Sequence, residues 1–314
     1  MKRTALLPLL ARLGLLLAAG APASAADTRL VIVGGGERPP EALGRFVSWA
    51  GGKAARILVV PWASGEPKES CEALLGELAA HSPGEAGCAP HATLDAQGKA
   101  APLDEVRKAE SLERLSRATG VFFTGGDQAR IMDVLADGEL LAAMKTRFAA
   151  GAVFGGTSAG AAVMSARMIT GEGDFTVIDG DKVEVRPGLG LLEGVIVDQH
   201  FVKRQRENRL FGLVLKRPEE RGVGIDEDTA LLVTGGRYAE VVGKGPVMLV
   251  DATGPGRLEI TLLRAGQSTD LRTRATPQSS GRCSGSGPST PRMGVRKLRK
   301  ASGKTLRACA ARRP

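Results

Sequence analysis

The stretch Ala152-Val153-Phe154-Gly155-Gly156-Thr157-Ser158-Ala159-Gly160-Ala161 runs from an apolar segment straight into a serine framed by glycines. Small residues on both sides of a hydroxyl are what a sharp strand-to-helix turn requires, and Gly156 to Gly160 spell G-x-S-x-G, the nucleophile-elbow pattern. Such a turn lifts the serine oxygen clear of the sheet edge. It also aims the N–H groups that follow at one spot, where a tetrahedral oxyanion can be held. A plain tight turn or a phosphate-binding loop uses the same glycine-rich junction, so other segments have to decide.

A nucleophilic serine needs a base, and the chain has three histidines. His81 and His91 lie in a loop-like region rich in Gly, Pro and Ala near Cys88. His200 ends Gly194-Val195-Ile196-Val197-Asp198-Gln199-His200-Phe201, an apolar strand emptying into polar residues. Reactive groups of open α/β sheets gather at the carboxyl ends of strands, where both Ser158 and His200 fall. A carboxylate should complete the set by orienting the imidazole. Gly222-Val223-Gly224-Ile225-Asp226-Glu227-Asp228-Thr229-Ala230 offers three acids at another apolar-to-polar step, and spacing does not choose among them. The bland alternative is a solvated hairpin. The order serine, histidine, acid excludes the α/β-hydrolase scaffold, which runs serine, acid, histidine.

Four ordered segments resemble the cyanophycinase family of serine peptidases, which also contains the aspartyl dipeptidase peptidase E. They are Phe122-Phe123-Thr124-Gly125-Gly126-Asp127-Gln128, the Ser158 turn, Asp198-Gln199-His200-Phe201 with Arg204, Arg206 and Arg209, and Gly224-Ile225-Asp226-Glu227. The likeness spans roughly Leu30 to Val250. It implies Ser158 as nucleophile, His200 as base and Glu227 as the orienting acid. It further implies that Gln128, Asp198, Gln199, Arg204, Arg206 and Arg209 bind substrate, the arginines taking its carboxylates through paired N–H donors. The amides of Gly126, Asp127 and Ala159 are then the candidate oxyanion hole. Arg206 and Arg209, three apart, share a helix face, and Arg204 joins them only if that helix starts late. Three arginines near a helix start are more commonly a solvated face.

The family likeness implies a flavodoxin-like, class I glutamine amidotransferase-like α/β fold, and the pattern points the same way. Leu30–Val33, Ile57–Val60, Val121–Phe123 and Ala152–Phe154 read as buried strands. Between them lie helical patterns around Glu41–Trp49, Cys71–Ala80, Leu103–Arg117 and Ala129–Arg147. That alternation predicts a mostly parallel sheet with helices on both faces. Short strands and hairpins follow, around Asp174–Val185 and Ala230–Leu262.

Residues 1–25 read as a signal peptide: Lys2 and Arg3, the apolar stretch Leu6–Ala19, then Ala23-Ser24-Ala25 as a small-residue cleavage site. The expected location is periplasmic or secreted, with no stable membrane span once the leader is removed. The leader contributes +3 and residues 265–314 contribute +11 to the formal charge of +9, so the body between carries −5. Residues 26–264 are expected to form one peptidase domain. Residues 265–314 have the basic, polar composition of a disordered tail. Cys71 and Cys88 are expected to pair, closing a loop of a size for which a disulfide contributes about 3 kcal/mol. Pairing of Cys283 with Cys309 in the tail stays open. No cofactor and no metal are expected: the cysteines lack zinc spacing, and Gly34-Gly35-Gly36 lacks the spaced glycines of a nucleotide fingerprint. The partner expected is a peptide or polymer, not nucleic acid, and a homodimer is compatible with the reading. Cyanophycin, polyaspartate bearing arginine on each β-carboxyl group, is the substrate the family implies. An exopeptidase for other aspartyl or isoaspartyl peptides and a non-catalytic peptide-binding protein are the alternatives.

Overall fold

The computed structural model describes residues 28–274. The leader, Cys283 and Cys309 lie outside the described residues. Eight strands form the main sheet. Five are parallel: β1 (Arg29–Val33), β2 (Arg56–Val60), β3 (Glu85–Cys88), β4 (Gly120–Phe123) and β5 (Val153–Thr157). They lie in the order β1-β5-β4-β2-β3. The hairpin-linked β10 (Thr229–Thr234) and β11 (Tyr238–Gly243) continue the sheet antiparallel beyond β1, with β14 (Ser268–Asp270) at that edge. The fold is the mixed α/β architecture with a mostly parallel sheet that the strand–helix alternation predicts.

Strand side chains alternate between faces, and this sorts the helices. Val31 and Val33 of β1 face α1 (Pro40–Trp49) and α2 (Pro67–Ala79) through Phe46, Leu74 and Leu78. Leu30 and Ile32 face the opposite way. They share a core with α3 (Glu105–Arg117), α4 (Gln128–Val134), α5 (Glu139–Ala149) and α6 (Ala159–Ala162) through Leu115, Ile131, Met144 and Ala161. The expected single helix over Ala129–Arg147 is two helices, because Gly138 adopts φ +82° ahead of α5.

A second sheet places half of the site. Its order is β13-β12-β9-β8, with β8 (Val195–Gln199) parallel to β9 (Arg221–Ile225), then β12 (Val247–Gly254) and β13 (Arg257–Leu263) antiparallel. Val197 and Val223 turn into the larger core. Ile196 and Val250 face α7 (Glu207–Lys216) together with the hairpin β6 (Arg167–Gly173) and β7 (Val183–Pro187). The acids after β9 therefore do not sit in a hairpin of one sheet; they cross from the second sheet to the first.

The body extends past the expected limit at residue 264. β14 pairs with β11, and the carbonyls of Asp270, Leu271 and Thr273 accept from the buried Arg221 guanidinium. Residues 265–274 thus belong to the fold, because Arg221 needs acceptors beyond the Asp251 carboxylate it already holds at 2.9 Å. The missed edge strand β3 carries Cys88, which is joined to Cys71 on α2.

Candidate active site

β5 ends at Thr157, and Ser158 leaves it with φ +54° and ψ −111°, a conformation L side chains seldom adopt. The turn is held because the Ser158 N–H donates to the Val33 carbonyl on neighbouring β1 (3.0 Å). On the other side, a β-carbon on Gly125, after β4, would stand 3.3 Å from that of Ser158. Glycine at 156 and 160 is needed for a different reason, close backbone approach: a β-carbon on Gly156 would meet the Gly160 carbonyl oxygen at 2.2 Å, and one on Gly160 would meet the Phe123 carbonyl oxygen at 2.4 Å.

Ser158 Oγ lies 2.8 Å from Nε2 of His200, and His200 Nδ1 lies 2.6 Å from Oε1 of Glu227. The three residues come from the carboxyl ends of β5, β8 and β9. An ionised carboxylate only accepts hydrogen bonds, so the geometry assigns the proton to Nδ1 and leaves Nε2 to accept from the serine hydroxyl. Burial lowers the His200 pKa below its ordinary value, and Arg204 and Arg206 push it the same way, against Glu227, which raises it.

Asp226 and Asp228, level with Glu227 in the sequence reading, have structural work. Asp226 Oδ1 accepts the Lys203 N–H (3.0 Å) beyond His200. Asp228 Oδ1 accepts the Glu37 N–H at 2.7 Å. Both brace loops on either side of the Glu227 contact.

The turn Gly34-Gly35-Gly36 after β1 was no candidate on sequence, yet it ties the site together. The Gly34 carbonyl accepts the His200 N–H (2.7 Å), and that of Gly35 accepts the Asp228 N–H (2.9 Å). A β-carbon on Gly35 would fall 2.2–2.6 Å from three atoms of the His200 ring. Three consecutive glycines behind a buried strand were the available signal: they mark close backbone approach as well as phosphate binding.

The expected substrate-binding residues divide. The Asp127 N–H donates to Ala63 O at 2.9 Å and is withdrawn from the oxyanion-hole set. Among the described residues no protein acceptor engages the N–H of Gly126 or Ala159. Gln128 is buried, and its Nε2 donates to the Ile169 carbonyl (2.7 Å). Asp198 and Arg209, 1% and 2% exposed, form a closed bidentate pair. Neither is free to take a ligand charge, which corrects their expected role: a carboxylate buried this deeply requires its guanidinium. α7 begins only at Glu207, so Arg204 and Arg206 precede it rather than lying along it. Arg206 Nη1 donates to the Gln199 carbonyl (2.9 Å) and its side-chain oxygen (2.5 Å). Arg204 is exposed, and its guanidinium has no ion-pair partner among the described residues.

A hydroxyl, an imidazole and a carboxylate in line at the carboxyl ends of sheet strands, in this α/β fold, define a serine-type peptidase. The chain belongs to peptidase family S51, whose model matches residues 30–241. It is similar to the cyanophycinase of Geminocystis herdmanii, 38% identical over 226 residues, covering 71% of this chain and 80% of that protein. A cyanophycinase of Trichormus variabilis is 36% identical over 233 residues, covering 73% of this chain and 75% of its own length. Among solved structures, a peptidase from an acI-B1 Actinobacterium shares the fold, with a TM-score of 0.58 at 23% identity, covering 77% of this chain and 96% of that one.

Proposed function

We propose that this protein is an exported serine exopeptidase that hydrolyses cyanophycin to β-aspartyl-arginine dipeptides. The observation that carries the reading is the hydrogen-bonded line from Ser158 through His200 to Glu227. The relatives' likeness supports the substrate class, and the Cys71–Cys88 pair suits an oxidising compartment.

His200 Nε2 takes the Ser158 hydroxyl proton as Oγ attacks the backbone carbonyl of an aspartyl residue. The charge that develops on the carbonyl oxygen is received by the N–H groups of Gly126 and Ala159. His200 then passes its proton to the leaving amine, and an acyl-enzyme remains. Water enters, His200 removes its proton, and attack on the ester frees the acid and restores Ser158. Glu227 holds Nδ1–H throughout, keeping the imidazole in one tautomer and stabilising its charged form. Arg204 and Arg206 bind substrate carboxylates; with Asp198 and Arg209 satisfied by each other, they are the cations left for that task.

The test is incubation of purified protein with cyanophycin granules and mass identification of what is released. The reading expects β-aspartyl-arginine from the wild type and nothing from Ser158→Ala. Release from other isoaspartyl peptides but not from cyanophycin would replace the substrate, and equal release by both proteins would end the serine-peptidase mechanism.

A further inference from the structure

Phe175 is unlike its neighbours. It sits on the loop between β6 and β7, where Thr176, Val177 and Ile178 are exposed. Its own ring is half-buried and lies over the Arg209 guanidinium, whose central carbon is 4.9 Å from the ring centroid. The loop is pinned at that spot. Asn208 Nδ2, one residue before Arg209, donates to the carbonyl of Phe175 at 3.4 Å, and Asp174 Oδ1 accepts both the N–H and the hydroxyl of Thr176 (3.0 and 2.6 Å).

Beneath the ring runs a relay. Arg209 holds Asp198; Asp198 Oδ1 also accepts the Gln199 N–H at 2.9 Å; Gln199 holds Arg206 through two oxygens. Asp198 Oδ1 is only 3.8 Å from Arg206 Nη1. The carboxylate therefore stands between two guanidiniums and is closed on the deeper one. Burial lowers the Arg206 pKa to about 10, with Arg209 the next cause and Asp198 opposing both. A cation over an aromatic face is attracted to it, more so where water is excluded. Removing the ring admits water to Arg209, loosens its hold on Asp198, and lets that carboxylate turn to Arg206.

We propose that Phe175 is a positioning residue: stacked on Arg209, it keeps the Arg209–Asp198 pair closed, so that Arg206, held through Nη1 by the Gln199 oxygens, keeps its remaining N–H donors for a substrate carboxylate. It sets substrate affinity, not the rate of bond breaking. The proposal rests on the reading of the site as one for aspartyl peptides and adds the loop that governs it. A ring that merely covered the apolar cluster of α7 would be replaceable by leucine.

Two measurements test this, on the full chain. The first is independent of activity: hydrogen exchange of arginine Nε–H groups followed by NMR, with Arg221 as internal control, since it forms a buried pair with Asp251 and no aromatic ring among the described residues stacks on it. Phe175→Leu should speed exchange at Arg209 by about tenfold or more and leave Arg221 unchanged, while Phe175→Tyr keeps the wild-type rate. The second is kinetic, on a soluble β-aspartyl-arginine oligomer. Phe175→Leu should raise KM roughly tenfold with kcat within about twofold, and should add nothing in an Arg206→Lys background. Unchanged Arg209 exchange overturns the proposal, as does an unchanged KM in an active enzyme or a full additive effect on top of Arg206→Lys. If the wild type does not cleave the oligomer, the proposed function fails while the exchange measurement still judges the stack. Should Phe175→Leu fold poorly, Phe175→Met serves in both arms.

Discussion

Gly35 and His200 are fitted to each other: a β-carbon on Gly35 would lie 2.2 Å from Cε1 of the imidazole. The backbone at Gly35 has φ +113°, and its carbonyl holds the Asp228 N–H. The glycine turn after β1 thus forms the floor on which the histidine rests. Gly35→Ala should move the ring away from Ser158, and a displacement of about 1 Å costs roughly 10²-fold in turnover. The expected outcome is a loss of kcat on that scale with secondary structure retained by circular dichroism. An enzyme of near wild-type rate would mean the ring has another place to go.

Ser158→Ala should lower kcat by roughly 10³-fold or more, since the nucleophile is lost while the N–H groups remain. The left-handed backbone at this position is strained for any residue bearing a β-carbon, at about 1–3 kcal/mol. Ser158→Gly should therefore melt higher than Ser158→Ala, though both are inactive. Equal melting temperatures would show that the turn stores no strain.

Three adjacent acids should part company on mutation. Glu227→Gln should cut turnover by roughly 10²- to 10⁴-fold with little change in KM, because it disturbs the imidazole tautomer and its charged form. Asp226→Asn and Asp228→Asn, which brace the Lys203 and Glu37 N–H groups, should stay within about tenfold. A larger loss at Asp228 than at Glu227 would place the orienting acid elsewhere.

The pH profile of kcat/KM carries opposite signs for two variants. The base must be neutral, so activity rises as pH climbs through the His200 pKa. That pKa is lowered, first by burial, so the acid limb should lie below the ordinary histidine value of about 6.5. Arg204→Gln removes a charge that lowers it, and the limb should move to higher pH. Glu227→Gln removes interactions that raise it, and the residual activity should keep its limb at lower pH than wild type. Shifts in the same direction would remove His200 as the titrating base.

The carboxyl-terminal limit is testable by truncation. Ending the chain after residue 264 strips three carbonyl acceptors from the buried Arg221 guanidinium and an edge strand from β11. Each buried donor left unsatisfied costs about 1–3 kcal/mol, so the melting temperature should fall by roughly 5–10 °C. Ending after residue 278 should leave stability and turnover on a soluble oligomer unchanged. Identical melting for the two truncations would return residues 265–274 to the tail.

Much of this molecule was legible in the chain itself. The alternation of four apolar runs with helical periodicity determined the parallel core, because each run is buried on both faces and needs helices to cover it. The small residues around Ser158 determined the sharp turn, since only they allow the close backbone contact of Gly156 with Gly160. His200 stood out by its place at a strand end. Tertiary structure decided the rest. Local spacing could not choose Glu227 among three acids; the choice depends on where the crossing between two sheets points each side chain, and both neighbours were taken by N–H groups distant in sequence. Nor could it separate Arg209 from Arg206. Both are arginines near one helix start, but one closes a bidentate pair on the buried carboxylate of β8 while the other stands 3.8 Å from it, and only the packing of α7 against that strand determines which.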